Sequence, residues 1–436
     1  MISSGRLFFT GVGQMGNVIK VLRERGLLDA VTSEDVEKVV EGQITVYAGF
    51  DPSSDSLQVG NFVTIMGLSH FQRCGHRVIA VVGGATGMIG DPSGKSSERQ
   101  LLTPEQVEKN LAGIKENLSR FLDFDHPTAP AMILNNHDWF KDFTFIDFLR
   151  DVGKHFRMGS MLSKDSVRSR LESESGMSFT EFSYQLLQGY DFLRLLDDHN
   201  CSFQLGGSDQ WGNITAGTDL IHKLRRKNAY GVTMPLVCDS NGQKFGKSAG
   251  NAIYLDANKT SYFDFYQFFV RTADEDAIRF LKIFTFLTQD EIDEYAAKLA
   301  EAPQKREAQI RLAEEMTRRV HGEEGLEIAR RSTAVLYGEA MDGLKAEELL
   351  AVFSDVPSTE LARADVVGQP VINVAADAGL CKSRGEARRL VQSGGLNLNN
   401  KRVSGIDAVV SESDIIDGCL LVLRSGKKRN HIVKVG

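Results

Sequence analysis

At 436 residues, with 42% hydrophobic and 25% charged side chains, the chain is long enough to bury a large core in two or three domains. No apolar run reaches the length of a membrane helix, and five scattered cysteines without a C-x-x-C pair suggest neither a zinc site nor a disulfide framework, so a soluble protein of a reducing compartment is expected. The net charge of −7 is uneven: residues 379–436 hold eleven Lys and Arg against five Asp and Glu, a local +6 that leaves −13 for the rest. Such a tail is either a nucleic-acid-facing module or a solvated basic face.

In chain order, Leu7-Phe8-Phe9 followed by Gly11-x-Gly13-x-x-Gly16 mimics a dinucleotide fingerprint, but the strand is too short and no second strand ending in an acid follows. Residues 1–16 are therefore expected to be an extension, poor in acids, either a weak organellar signal or a disordered start. A helix is predicted from Val18 to Arg25. Ile44-Thr45-Val46 then reads as a buried strand, and an apolar helical pattern runs from Phe62 to Phe71. Between them, Gly49 and Gly60 let backbone approach a ligand, Asp51-Pro52 fixes a turn, and the helix start near Asn61 offers free N–H groups to an anion. The guest this suggests is a phosphorylated ligand; an ordinary strand-to-helix turn has the same composition.

Val78 to Val82 is a second buried strand, closed by Gly83, Gly84 and Gly87. The loop Gly90 to Ser96 misses a P-loop by one residue, so Lys95 and Arg99 face either phosphate or water. Thr103-Pro-Glu-Gln106 is a capping box that opens a helix. Asn135 to Trp139 reads as a loop, with His137 a surface or packing histidine. Helices are predicted over Phe143 to Arg150 and Ser178 to Leu196. On the second, Tyr184, Gln188 and Asp191 share one side, as a pocket wall or a solvated face would require. Ser202 to Leu205 is a strand ending in Gly206-Gly207-Ser208-Asp209-Gln210, where an acid can accept from ribose hydroxyls.

Alternation of strands and helices through residue 235 predicts a doubly wound parallel-sheet α/β domain, Rossmann-like in class. Lys244-Phe-Gly-Lys247-Ser248 sets two lysines about a glycine on a loop, suited to following a moving pyrophosphate. Past Asn251 the strands stop; Thr288-Gln-Asp-Glu291 caps one of several amphipathic helices. Residues 354–370 read as a linker. Beyond it Ser383 to Glu386 caps a helix, Gly394-Gly395 ends it, and Lys382, Arg384, Arg388, Arg389, Lys401, Arg402, Arg424 and Lys427-Lys-Arg429 supply positive charge.

Gln58-Val-Gly-Asn61 and Lys244 to Ser248 resemble the paired signatures of class I aminoacyl-tRNA synthetases. The surrounding text, Tyr47-Ala-Gly-Phe-Asp-Pro, Gly83 to Lys95, Tyr184 to Asp191 and Gly206 to Asn213, is similar to that of bacterial-type tyrosyl-tRNA synthetases over nearly the whole chain. The resemblance implies an extension over 1–16, a catalytic domain over 17–250, a helical anticodon-side domain over 251–353, the linker 354–370 and an S4-like RNA-binding module over 371–436. It implies adenylation of tyrosine by ATP with Mg2+, then esterification of tRNA(Tyr), in a homodimer of the cytoplasm, without a tightly bound cofactor or structural metal. An alternative of another class is a synthetase-derived RNA-binding protein with lost or weak aminoacylation.

By the same resemblance, Tyr47 and Asp191 would hold the phenol hydroxyl, and Asp91, Tyr184 and Gln188 the ammonium, with Gln210 near the carboxylate. Gly49, Asp51, Gly60, Thr64, Gly207 and Asp209 would line ATP. Ser53, Gln58, Asn61, Lys95, Arg99, Lys244, Lys247 and Ser248 would serve its phosphates, and Lys382, Arg384, Arg388, Arg389, Lys401 and Arg402 would face RNA. Two departures stand out: Ala48 where many relatives have a cysteine, and Gln58 at the first histidine of the signature.

Overall fold

Strands that carry apolar side chains on both faces are stable only where helices cover both sides of a parallel sheet. In the computed structural model, which describes residues 16–93, 102–172, 176–248, 251–426 and 429–436, the runs read as buried strands take up that position. The sheet holds β1 (Ala30–Val31), β2 (Thr45–Phe50), β3 (Arg77–Val82), β4 (Met132–Asn135), β5 (Phe203–Gly207) and β6 (Tyr230–Met234), in the order β1-β6-β5-β2-β3-β4. All pairings are parallel except β1 on β6. The chain winds from β2 outward through β3 and β4, then returns to β5 and winds the other way. The carboxyl ends of β2 and β5 therefore meet at the switch point, where a crevice opens.

The covering helices are α1 (Val18–Glu24), α2 (Val36–Val39), α3 (Phe62–Arg73), α4 (Pro104–Ser119), α5 (His137–Phe140), α6 (Phe145–Asp151), α7 (Met158–Leu162), α8 (Asp165–Leu171), α9 (Phe179–His199) and α10 (Trp211–Arg225). Capping boxes form at Thr103 of α4 and Ser178 of α9, so both helices start where side chains can satisfy their first N–H groups. Asn135 to Trp139, expected as a loop, instead ends β4 and begins α5. At four residues each, β4 and α5 are too short to leave a periodic signal.

A two-stranded hairpin, β7 (Lys247–Ser248) with β8 (Asn251–Ala252), follows the sheet. The remaining helices are α11 (Tyr262–Val270), α12 (Asp274–Phe284), α13 (Gln289–Glu301), α14 (Glu307–Leu336, kinked at Gly322, φ 75°) and α15 (Ala346–Val352). The chain divides into two compact units, 1–259 with 272–312, and 260–271 with 313–436. The helical stretch expected as one domain over 251–353 is thus shared. Its portion α12 joins the first unit because Phe284 packs edge-on to Phe62 of α3, with ring centroids 6.4 Å apart.

In the second unit, β9 (Ser358–Leu361), α16 (Val371–Asp377), α17 (Arg384–Gln392), β10 (Leu396–Leu398), β11 (Lys401–Arg402), β12 (Leu420–Ser425) and β13 (Arg429–Val435) build a five-stranded sheet ordered β11-β10-β12-β13-β9. The segment expected as a linker supplies β9, which pairs parallel to β13 from Ser358 opposite Ile432 to Leu361 opposite Val435. Its half-buried alternation is too short to stand out in a polar sequence. A core of Val371, Val374, Leu380, Ala387, Leu396, Leu421, Leu423 and Val433 fills this module.

Near α9 one ion pair is buried: Arg170 donates to both carboxylate oxygens of Glu181, at 3.0 and 2.9 Å, and both side chains are only 4% exposed. Glu181 also completes the capping box of Ser178. Removing one partner leaves a charge in a dry environment, so Glu181→Ala should cost about 3–5 kcal/mol, while replacing both by apolar side chains of similar volume should recover much of the loss. Urea unfolding of the two variants checks this. A single substitution costing under about 1 kcal/mol would contradict the pair's buried character.

Candidate active site

The crevice at the switch point is a cleft of roughly 420 Å3. It gathers Tyr47, Gly49, Asp51, Ser53, Gln58, Gly60, Asn61 and Thr64 from β2 and the start of α3, and Asp91, Tyr184, Gln188 and Asp191 from the loop after β3 and from α9. Gly207, Asp209 and Gln210 come from the end of β5, and Lys244 from the loop after β6. Residues 1–15, with the G-x-G pattern, lie outside the described residues, as do Lys95, Arg99 and Lys427-Lys428. For Lys247 and Ser248 the backbone is described, as β7, and the side chains are not.

At the closed end, the Tyr47 hydroxyl is buried without a hydrogen-bond partner, and its ring stands edge-on to Phe192 at 5.2 Å. Beside it Asp191, 4% exposed, receives Nε1 of Trp139 on one oxygen (2.8 Å) and Nδ2 of Asn136 on the other (3.1 Å). Burial disfavours the charged carboxylate and pushes Asp191 up to about 7, against the pull of its two donors. Tyr47 is driven well above the usual range by burial first, then by the Asp191 charge. A phenol and a carboxyl in a dry wall can hold one small polar group that both donates and accepts.

Asn136, Trp139 and Thr86 were not singled out in the sequence, yet they hold this end. Nδ2 of Asn136 also donates to Thr86 Oγ1 (2.9 Å), and its Oδ1 accepts from Ala85 N (2.7 Å). The available signal was their position just past the carboxyl ends of β3 and β4.

Midway along the cleft, Gln210 Nε2 donates to Asp91 Oδ2 (2.7 Å), Gln188 Nε2 donates to Gln210 Oε1 (3.2 Å), and Tyr184 donates to Asp51 Oδ1 (3.3 Å). Asn213, also missed, is the hub: its Nδ2 lies within reach of Gln188 Oε1 (3.1 Å), Gln210 Oε1 (3.2 Å) and Ser93 Oγ (3.2 Å). A buried carboxylate held by carboxamide N–H groups, with the Gln188 and Gln210 amide oxygens in the same network, suits an ammonium ion.

At the open end a single turn, Val59–Asn61, leads into α3, and Asn61 Oδ1 accepts from Gln58 N (2.9 Å). The lysine loop lies against it. Val59 N donates to Ile253 O (2.8 Å), Ile253 N to Gly246 O (3.0 Å) and Phe245 N to Val237 O (3.0 Å). Gly246 has φ +99°, and a Cβ there would come within 2.7 Å of Gly60 N, so only glycine permits this approach. The Phe245 ring anchors the loop on Phe280 and Phe284, at 4.6 and 4.7 Å.

In the second unit Lys382, Arg384, Arg388 and Arg389 are exposed around α17, whose opposite side buries Ala387 and Val391. Lys401 and Arg402 are also exposed, Lys401 in an ion pair with Asp342 (2.9 Å). Arg424, counted with the positive charge of the module, is buried and donates to Asn400 Oδ1 (3.3 Å).

A doubly wound sheet with a cleft at its switch point, closed on one rim by a lysine loop docked on a helix start, defines a class I aminoacyl-tRNA synthetase. The sequence model of class I tRNA synthetases (W and Y) matches residues 39–337, and that of the tyrosine–tRNA ligase SYY-like C-terminal domain matches 348–433. Similar proteins include the tyrosine–tRNA ligases of Protochlamydia amoebophila, 52% identical over 97% of this chain and 99% of the relative, and of Geobacillus kaustophilus, 48% identical over 96% and 99%. Among solved structures, a C-terminally truncated mitochondrial tyrosyl-tRNA synthetase of Aspergillus nidulans matches 74% of this chain and 95% of its own at 31% identity and TM-score 0.67. The chain belongs to the bacterial-type tyrosyl-tRNA synthetase family.

The raised Asp191 carboxyl makes stability depend on pH. Between about 4, where an exposed aspartate titrates, and about 7, the folded protein keeps a proton the unfolded chain has released. Its contribution to stability therefore falls as pH rises through that window, by up to about 1.4 kcal/mol per pH unit, and is flat above. Asp191→Asn lacks the titration. Its unfolding free energy relative to the parent should grow from pH 5 to 7 and level off by pH 8 in urea titrations, and a pH-independent difference would contradict the burial.

Proposed function

We infer that the protein is a tyrosine–tRNA ligase that activates L-tyrosine with ATP and transfers the tyrosyl group to the 3′ end of tRNA(Tyr). The observation that carries this reading is the partnerless Tyr47 hydroxyl beside Asp191 at the closed end of the cleft. A phenol hydroxyl entering there donates to one and accepts from the other. Asp91, Tyr184 and Gln188 take the ammonium, and Gln210 turns toward the carboxylate. Gly49, Asp51, Gly60, Thr64, Gly207 and Asp209 line ATP, the acid at the end of β5 facing the ribose.

Catalysis then consists of positioning and charge stabilisation. A tyrosine carboxylate oxygen attacks the α-phosphorus in line, the bond to the bridging oxygen breaks, and pyrophosphate leaves. Ser53, Gln58, Asn61, Lys95, Arg99, Lys244, Lys247 and Ser248 serve the phosphates, with Mg2+ arriving as the counter-ion of ATP. In the second step a terminal ribose hydroxyl of tRNA attacks the acyl carbon and AMP departs. The exposed cations at Lys382, Arg384, Arg388, Arg389, Lys401 and Arg402 suit an RNA backbone. Exposed Phe145, Ile146, Met158 and Phe179, each more than half accessible, favour a homodimer whose partner covers them. A cytoplasmic place of action goes with this reading.

Gln58 tests the phosphate end. Its carboxamide can donate to phosphate oxygen as charge develops, and losing such a donor typically costs about 3 kcal/mol, or roughly a hundredfold in rate. Gln58→Ala should slow adenylate formation steeply in stopped flow with little change in tyrosine affinity. Adenylation at the parental rate would remove Gln58 from the reaction.

A further inference from the structure

The open rim of the cleft is built from segments distant in sequence, 56–60 on one side and 244–248 with 251–255 on the other, and both sides depend on one buried side chain of α4. Asn117, 4% exposed, accepts through Oδ1 the backbone N–H of Leu57 (2.8 Å) and the hydroxyl of Ser56 (3.1 Å). Ser56 Oγ in turn accepts the N–H of Asp256 (3.1 Å), and Leu57 O accepts that of Leu255 (2.9 Å). From there the bonds of Val59 to Ile253 and of Ile253 to Gly246 carry the register to the lysine loop. The same helix seats the turn before them: Asn110 Nδ2 donates to Pro52 O (2.7 Å), and at Gly113 a Cβ would stand 1.8 Å from Asp55 O.

We propose that Asn117 is a positioning residue for the phosphate-transfer step, a brace that sets the Gln58 turn and the lysine loop in one register. The proposal rests on Gln58 and Lys244 facing the phosphates of ATP. Asn117 does not line the cleft, so it acts through the backbone it holds. The groups assigned to tyrosine stand on β2, the loop after β3, α9 and the turn after β5, whereas the Asn117 side chain bonds Ser56 and Leu57, so its loss separates rate from tyrosine affinity. A shift of about 1 Å in reacting groups can cost about a hundredfold.

The test is single-turnover adenylate formation, with tyrosine affinity measured on the same preparations, in the full chain. Asn117→Leu, of similar size without the acceptor, should slow adenylation by roughly ten- to a hundredfold while tyrosine affinity stays within about twofold. Asn117→Asp, which keeps an acceptor oxygen, should restore most of the rate. Ser56→Ala should slow the step, and adding it to Asn117→Leu should slow it little further, because both act at one junction. An Asn117→Leu rate equal to the parent, beside a slow Gln58→Ala, would overturn the brace alone; tyrosine affinity falling in parallel with rate would overturn it as a general loss of structure. A Gln58→Ala variant as fast as the parent would instead remove the reading of the phosphate end, and the proposal with it.

Discussion

A carboxyl group almost fully withdrawn from water is the constraint around which the catalytic unit is arranged. Asp191 sits on the inner side of α9, and burying it is tolerable only because Trp139 and Asn136 each give it a hydrogen bond, and because it can hold its proton up to about pH 7. Those donors come from α5 and its N-terminal flank, just beyond β4. The strand order that brings β2, β3 and β4 side by side is therefore also what completes the pocket. The unpaired Tyr47 hydroxyl is the other half of the arrangement, a buried polar atom of the cleft wall left without a partner, as is Gln204 Oε1.

From that end outward the contacts that build the cleft change in kind. Its middle is a ring of carboxamides about Asp91, with Asn213 able to choose among several acceptors. Its open rim is two backbone segments joined by a few hydrogen bonds and by the stacking of Phe245 on α12. Recognition of a rigid side chain calls for a packed wall, and phosphoryl transfer for a rim held in register.

Much of this was legible because the signals were local. The continuous apolar runs gave β2 and β3, and the boxes at Thr103 and Thr288 marked helix starts that form with both reciprocal bonds. Gly49, Gly60 and Asp209 could be read from glycines and an acid near strand ends, and the α9 residues from their shared helix face, while the roles of Tyr47, Tyr184, Gln188, Asp191 and Gln210 came from the family resemblance. What escaped depends on three-dimensional convergence. The strands β1 and β9, of two and four residues, take their identity from neighbours far along the chain. Asn136, Trp139 and Asn213 have no pattern of their own, and Arg424 resembles its surface neighbours until β12 buries it.

In the proposed function, Tyr47 and Asp191 await a phenol hydroxyl. Phenylalanine fills the same space but leaves both groups buried and unpaired, a penalty for which tyrosyl-tRNA synthetases are themselves the reference case. Exchange of labelled pyrophosphate into ATP by the unmodified protein, with each amino acid in turn, measures it directly. Ready exchange with tyrosine and strong rejection of phenylalanine are expected; comparable exchange with both, or none with tyrosine, would rule out a phenol-recognising pocket.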